Sequence, residues 1–249
     1  MTMRALILAA GRGSRMRALT EDRPKGMVSL AGRTLIEWQL AALHGAGLET
    51  IGVVSGYKGD ALDVYNFSRR FENSRWAETN MVRSLTMARD WLAADTCIVS
   101  YSDIFYGADS VRRLIDAPAD IAISYDPKWH WLWSKRFADP LSDAETFKLD
   151  AAGGLVEIGR KPESLDEVTG QYMGLLKFTP AGWTSIEGVL GQLGPERVDK
   201  LDVTSLLGFC LSAGIRVAAI PIAGQWGEAD SDEDLRLYED LMKKGELLV

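Results

Sequence analysis

Through the first half of the chain, short runs that are apolar from end to end alternate with stretches of helical periodicity, and this restricts the fold more than any other feature. Residues 4–10 (RALILAA), 50–55 (TIGVVS), 96–101 (TCIVSY) and 120–124 (DIAIS) read as strands. Helices are predicted over 34–45, 59–66, 80–92 and 108–115, with Asn80 as a cap. A strand without a polar face must be covered on both sides, as in a parallel sheet of an α/β fold. Such sheets receive ligands at the carboxyl ends of their strands. The glycine-rich turn after Ala10, Gly56 and Tyr101-Ser102-Asp103 all fall at such ends, so three separated segments should converge on one crevice.

Residues 127–178 differ in character. Tryptophans stand at 129, 131 and 133, a spacing that puts them on one face of an extended strand. A hairpin over 146–159 and a strand over 171–178 follow. The expectation is a small, β-rich insertion or lid on a single domain covering 1–249. The chain then returns to helices (180–193, 202–213), a strand (216–222) and a last helix (232–243).

Composition narrows the function classes. The net charge of −7 argues against a nucleic-acid binder, which needs a basic face. Cys97 and Cys210 sit in apolar runs and read as buried free thiols, which favours a reducing compartment. No signal-peptide pattern opens the sequence and no apolar run reaches about 18 residues, so a cytoplasmic protein without membrane contact is expected.

The turn Ala9-Ala10-Gly11-Arg12-Gly13-Ser14-Arg15 carries most of the chemistry. It lacks the GxxxxGK[ST] pattern of a Walker loop. It is also a poor dinucleotide fingerprint: Met16 holds the third glycine position, and no acid ends the second strand at Ser55-Gly56. A lone GxG could be only a tight strand-to-helix turn. Here Arg12, Arg15, Arg17 and Lys25 crowd the same connection, and glycine amides with nearby cations suit a polyphosphate.

The stretch LILAAGRGSRMRALTEDRPKGMVSLAGRTLIEWQL resembles the signature LxAAGxGxRxxxLTxxxPKxxxxxxGxxLI of the nucleotidylyltransferases that activate sugar phosphates and related phosphate monoesters. The resemblance implies a Rossmann-like, three-layer α/β/α nucleotidyltransferase fold with a mostly parallel sheet. It further implies that the glycine turn and Arg15 bind an NTP triphosphate, and that Lys25 stabilises the transferred α-phosphoryl group. In this family one Mg2+ sits between two aspartates, which here would be Asp103 and Asp230. Two hard carboxylate oxygens suit that ion. Taken alone, Asp103 reads equally well as a solvated loop acid, while Ser231 and Asp234 form a capping-box pattern that accounts for Asp232, Glu233 and Asp234.

The later series ETNMVRSL, SYSDIFY, ADPLSDAETFKL, EIGRKPES and GQYMGLLKF resembles the cytidylyltransferase branch acting on phosphocholine and phosphoglutamine, the latter in capsule assembly. That resemblance implies CTP and a small phosphorylated acceptor. It places Ala9, Ala10, Gly11, Gly13, Asn80 and Ser102 near the nucleotide, and Lys161, Gln171 and Tyr172 near the acceptor. Trp129 could flank a cationic acceptor or simply cover a sheet edge, and Glu145, Glu228 and Arg136 are charged candidates for its amine or carboxylate. His44 and His130 read as structural. A phosphate monoester has its second pKa near about 6 and is already a dianion, so no general base is required. The rival readings are a sugar-1-phosphate uridylyl-, thymidylyl- or guanylyltransferase, and a catalytically silent nucleotide-binding subunit. Oligomeric state is not legible.

Overall fold

The computed structural model describes residues 3–222 and 224–247, the Arg17 side chain excepted. β1 (Met3–Ala9) leads into 3-10 helices at Ser14–Thr20 and Lys25–Met27, then a small hairpin, β2 (Ser29–Leu30) and β3 (Arg33–Thr34). α1 (Leu35–Gly45) follows, begun by a capping box between Thr34 and Glu37. Next come β4 (Ile51–Ser55), β5 (Arg69–Glu72), α2 (Met81–Thr86), α3 (Arg89–Ala94), β6 (Thr96–Tyr101), β7 (Ile104–Tyr106), α4 (Ala108–Asp116) and β8 (Ile121–Asp126). After β8 come α5 (Trp129–Arg136), β9 (Phe147–Leu149) and β10 (Leu155–Ile158). β11 (Gln171–Phe178), α6 (Pro180–Leu193), α7 (Pro195–Lys200), α8 (Val203–Ser212), β12 (Ala218–Pro221), β13 (Trp226–Glu228) and α9 (Asp232–Lys243) complete the chain.

Seven strands form one sheet in the order β12-β8-β11-β6-β1-β4-β5, parallel except for β11. Alternate β1 residues enter opposite cores, Ala5 and Ile7 on one face and Leu6 and Leu8 on the other, as a doubly covered strand requires. The path from β1 runs to β4 on one side and later to β6 on the other. The carboxyl ends of β1 and β6 therefore flank a topological switch point, where such sheets hold ligands.

Several expectations need correction. Residues 171–178 are not part of the insertion. As β11 they pair with both β6 and β8 in the central sheet. Nor are the tryptophans on a strand. α5 places Trp129 and Trp133, four apart, on its buried face and leaves Trp131 41% exposed. The helix expected over 80–92 breaks into α2 and α3, where the Thr86 hydroxyl donates to the Arg83 carbonyl and competes with the backbone ladder. Both cysteines are free and buried.

Candidate active site

Local backbone chemistry builds the opening turn. The Ala10 carbonyl accepts the Tyr57 N–H (2.9 Å), tying the turn to the end of β4. Gly56 lies so close there that a Cβ would sit 2.7 Å from the Ala10 carbonyl oxygen. Gly13 is left-handed (φ 68°), and its carbonyl accepts the Met16 N–H (2.9 Å) and the Thr20 hydroxyl (3.2 Å). Met16 is buried and anchors the turn in the core, which explains a bulky residue where a dinucleotide loop has glycine. The Lys25 stem runs across Gly13: a Cβ there would lie 2.7 Å from Lys25 Cβ and 2.8 Å from Cδ.

That path delivers the Lys25 ammonium to two carboxylates from distant segments. It donates to Asp103 Oδ2 (2.8 Å), just past β6, and to Asp230 Oδ1 (2.6 Å), between β13 and α9. Arg15 Nη2 also donates to Asp230 Oδ1 (2.8 Å). β7 and β13 pair antiparallel, Ile104 opposite Glu228, and the Ala229 N–H donates to the Asp103 carbonyl (2.9 Å). This small ribbon clamps the two acidic segments together. Oxygens of Asp103, Glu228 and Asp230 thus lie within 4.8 Å of one another.

Behind them, Arg136 of α5 is wholly enclosed. Its Nε and Nη2 donate to Asp234 Oδ1 (2.9 Å) and Oδ2 (3.3 Å), while Nη2 lies 3.6 Å from Asp230 and Nη1 3.7 Å from Glu228. Asp234 Oδ2 in turn accepts the Asp230 N–H (2.9 Å) and the Ser231 N–H (3.0 Å), so the capping acid also positions the site. Burial drags the Lys25 pKa down, but Asp103 and Asp230 outweigh it and hold the ammonium above its ordinary value. Burial, then Asp230 and Asp103, push the Glu228 carboxyl up to about 8 against the pull of Arg136 and Lys25.

The crevice in front has a volume of about 280 Å³. Its walls come from Ala10, Gly11, Gly13, Ser14 and Arg15, from Lys25, from Trp76, Thr79, Asn80, Met81 and Ser84, and from Tyr101-Ser102-Asp103. Asn80 caps α2 by accepting the Met81 N–H (2.8 Å) and donates to the Lys200 carbonyl (3.2 Å). Ala9 stops short of the crevice: it is paired with Ser55 inside the sheet and its methyl lies in the core. The donor set fits a hard divalent cation. Three carboxylates from two chain segments gather within 4.8 Å, and Asp103 Oδ1 is buried without a hydrogen-bond partner among the described residues.

Residues 5–161 match the model of the MobA-like NTP transferase domain. The chain belongs to that family. It is 37% identical over 94% of its length, and 98% of the relative's, to the CTP:phosphoglutamine cytidylyltransferase of Campylobacter jejuni. It is 26% identical to the UTP–glucose-1-phosphate uridylyltransferase AglF of Haloferax volcanii, over 89% of each chain. The solved CTP:phosphocholine cytidylyltransferase of Streptococcus pneumoniae superposes with a TM-score of 0.73 at 19% identity, covering 97% of this chain and all (100%) of that one. The protein is a nucleotidyltransferase with the α/β architecture of its family. Glu228 and Asp230 lie beyond the matched span, yet the fold returns them to it.

In this MobA-like chain the residues expected on the acceptor side are scattered. Trp129 is in the core, its indole N–H donating to the Val168 carbonyl (3.0 Å), and offers no face to a ligand. Lys161 is exposed, and its ammonium donates to the carbonyls of Leu141 and of Ser142 (2.7 Å), bracing the loop before β9. Tyr172 packs edge-on against Tyr101 of the crevice wall (5.9 Å between centroids), and burial pushes both phenols up. Gln171 opens β11 opposite Asp126, its amide oxygen buried. Glu145 is exposed to solvent, yet desolvation by the surrounding protein, then Asp202 and Asp143, push its carboxyl up. Sequence reasoning missed Trp76, Thr79, Met81 and Ser84 as crevice residues. Nothing in their spacing distinguishes them from ordinary helix-flanking side chains.

Proposed function

We propose that this single-domain chain is a Mg2+-dependent cytidylyltransferase that joins CTP to a small phosphorylated acceptor of the phosphoglutamine or phosphocholine kind, releasing pyrophosphate. The observation that carries the reading is the Lys25 ammonium between Asp103 and Asp230 at the edge of the crevice under the glycine turn. CTP as donor rests on the relative at 37% identity, since a second relative, at 26%, is named for UTP.

In this reading the acceptor phosphate oxygen attacks the α-phosphorus while pyrophosphate departs on the opposite side. Amides of Gly11, Gly13 and Ser14, with Arg15, hold the β- and γ-phosphates, and Asn80 and Ser102 line the nucleoside side. Lys25 neutralises charge that develops at the α-phosphoryl group. Asp103 and Asp230, with Glu228 beside them, would hold Mg2+, which when bound neutralises phosphate charge. Neither histidine lines the crevice, in keeping with an acceptor that needs no base: His44 faces Glu49 (3.6 Å), and His130 packs on Trp129. Lys161, Gln171, Tyr172 and Glu145 remain the candidates for acceptor recognition, with residues 127–170 as the flanking insertion. The enzyme then works in the cytoplasm and supplies an activated precursor for capsule assembly. No helix among the described residues is long and apolar enough to cross a membrane.

The test is pyrophosphate release with each NTP against phosphoglutamine, phosphocholine, 2-aminoethylphosphonate and glucose 1-phosphate. CTP with a phosphorylated amine or amide should be the productive pair; UTP or dTTP with glucose 1-phosphate would replace this reading with a sugar nucleotidyltransferase. Lys25→Ala and Asp103→Ala should each lower kcat by at least about a hundredfold, the scale of a lost preorganised charge contact.

A further inference from the structure

We propose that Lys25 is the resting occupant of the divalent-cation site, and that the metal and the ammonium compete for the same carboxylate oxygens until nucleotide is present. This rests on the metal reading above and adds an exchange to it. Asp103 Oδ2 and Asp230 Oδ1, oxygens of the two proposed ligands, are the acceptors of the Lys25 Nζ bonds at 2.8 and 2.6 Å. A divalent cation held by the same carboxylates would face the ammonium at close range, and the repulsion between the two makes them competitors for the site.

The two other cations nearby occupy different situations. Arg136 is fully enclosed and committed to both oxygens of Asp234, so it is a permanent counter-charge. Arg15 is 68% exposed and reaches Asp230 from outside. Lys25 alone is both buried among the carboxylates and part of the crevice wall. Its stem is pinned across Gly13, which leaves the end of the side chain as the part able to leave the carboxylates. The phosphate of an arriving nucleotide offers that ammonium a replacement anion. Nucleotide and metal are therefore coupled through Lys25: each makes room for the other.

The test measures Mn2+ binding to the full chain by electron paramagnetic resonance, without nucleotide and with a non-hydrolysable CTP analogue. The wild type should bind Mn2+ weakly alone and tightly with the analogue. Lys25→Met, which keeps the stem and removes the charge, should bind Mn2+ alone at least about tenfold more tightly than the wild type, as expected for one unit charge removed from a partly buried site. Lys25→Arg should stay weak, and Asp103→Asn should lose binding throughout. If Lys25→Met binds Mn2+ no better than wild type while the analogue still promotes binding, the exchange is refuted and the metal site stands. Loss of Mn2+ binding under every condition refutes both. Should Lys25→Met fail to fold, wild-type crystals soaked in Mn2+ decide: manganese between Asp103 and Asp230 with Lys25 still on both oxygens overturns the proposal, and manganese with Lys25 displaced supports it.

Discussion

Replacing Gly13 with alanine should damage catalysis by displacing the side chain of Lys25. The position is left-handed at φ 68°, which costs a non-glycine residue about 1–2 kcal/mol. The new methyl would then stand 2.7, 2.8 and 2.9 Å from Cβ, Cδ and Cγ of Lys25, closer than carbon atoms pack. Relieving such overpacking costs about 1–3 kcal/mol more. Because the clash falls on the stem of Lys25, relief means moving the ammonium off Asp103 and Asp230. A displacement of about 1 Å at a reacting group lowers turnover on the order of a hundredfold. Denaturant unfolding should therefore show a loss of about 2–5 kcal/mol, the sum of the two costs, and pyrophosphate release a fall in kcat of that hundredfold order. Gly11→Ala is the control: its Cβ would meet nothing within 4 Å, so stability should hold within about 0.5 kcal/mol. A Gly13→Ala enzyme with wild-type kcat would refute the claim that this stem sets the ammonium's place.

Arg136→Met should destabilise the fold by about 3–5 kcal/mol in denaturant titrations, since it strands Asp234 and its neighbours without their counter-charge. Although burial raises the Asp234 carboxyl, Arg136 holds it below its ordinary value; its stabilising share is thus present at neutral pH and lost as pH falls through the folded value, and in Arg136→Met that acid-side loss should shrink. Trp129→Ala should cost about 3–5 kcal/mol of stability, whereas Trp131→Ala, exposed and with the Lys135 ammonium over its ring, should stay within about 0.5 kcal/mol. A selective rise in acceptor KM for Trp129→Ala at unchanged stability would return that residue to the acceptor site. Burial pushes Cys97 up to about 12 and Cys210 up to about 11, so neither thiol should react with a disulfide reagent at pH 8 until the protein unfolds; labelling of the native chain would contradict their burial.

Residues whose neighbours in sequence are also their partners in space were the ones most easily read. Strands β1, β4, β6 and β8 announce themselves because apolar residues on both faces leave few alternatives. The glycine turn with Arg15 and Lys25 is a local motif, and its resemblance to the family supplied Asp103 and Asp230. β11 could not be placed, because an apolar strand reads the same in an insertion and in a central sheet. Its antiparallel pairing with β6 and β8 is decided by topology. The ribbon of β7 and β13 joins three-residue strands more than a hundred positions apart, too short to carry a pattern. Arg136 was noticed only as a loose candidate for acceptor recognition: an arginine at the end of an amphipathic stretch reads as surface, and its partner Asp234 lies 98 residues further on. The tryptophan spacing suggested a strand because alternation and a half-exposed helix share those three positions.

The architecture of the site follows from an electrostatic problem. Oxygens of Asp103, Glu228 and Asp230 gathered within 4.8 Å repel one another strongly wherever water is scarce. A chain with a net charge of −7 offers no background of positive charge to relieve that repulsion. The relief has to be local, and it comes from two separate directions: Lys25, joined from outside by the exposed Arg15, from the opening segment, and Arg136 from α5. The carboxylates themselves ride on the end of β6 and on the β13–α9 connection. Four parts of the chain are consequently held together at this point by charge, so neutralising any one side chain should loosen segments that do not touch it in sequence. Two cations of different mobility also solve two different tasks. An enclosed, doubly bonded guanidinium can preserve the shape of the cluster through a catalytic cycle, whereas an ammonium with rotatable donors can change partners within it. Exchanging their roles, with Arg at position 25 and Lys at 136, keeps the charge and should still lose activity, because the planar fork would hold the mobile place and the flexible stem the fixed one. Full turnover in that double variant would show that net charge, rather than the geometry of each cation, is what the site requires.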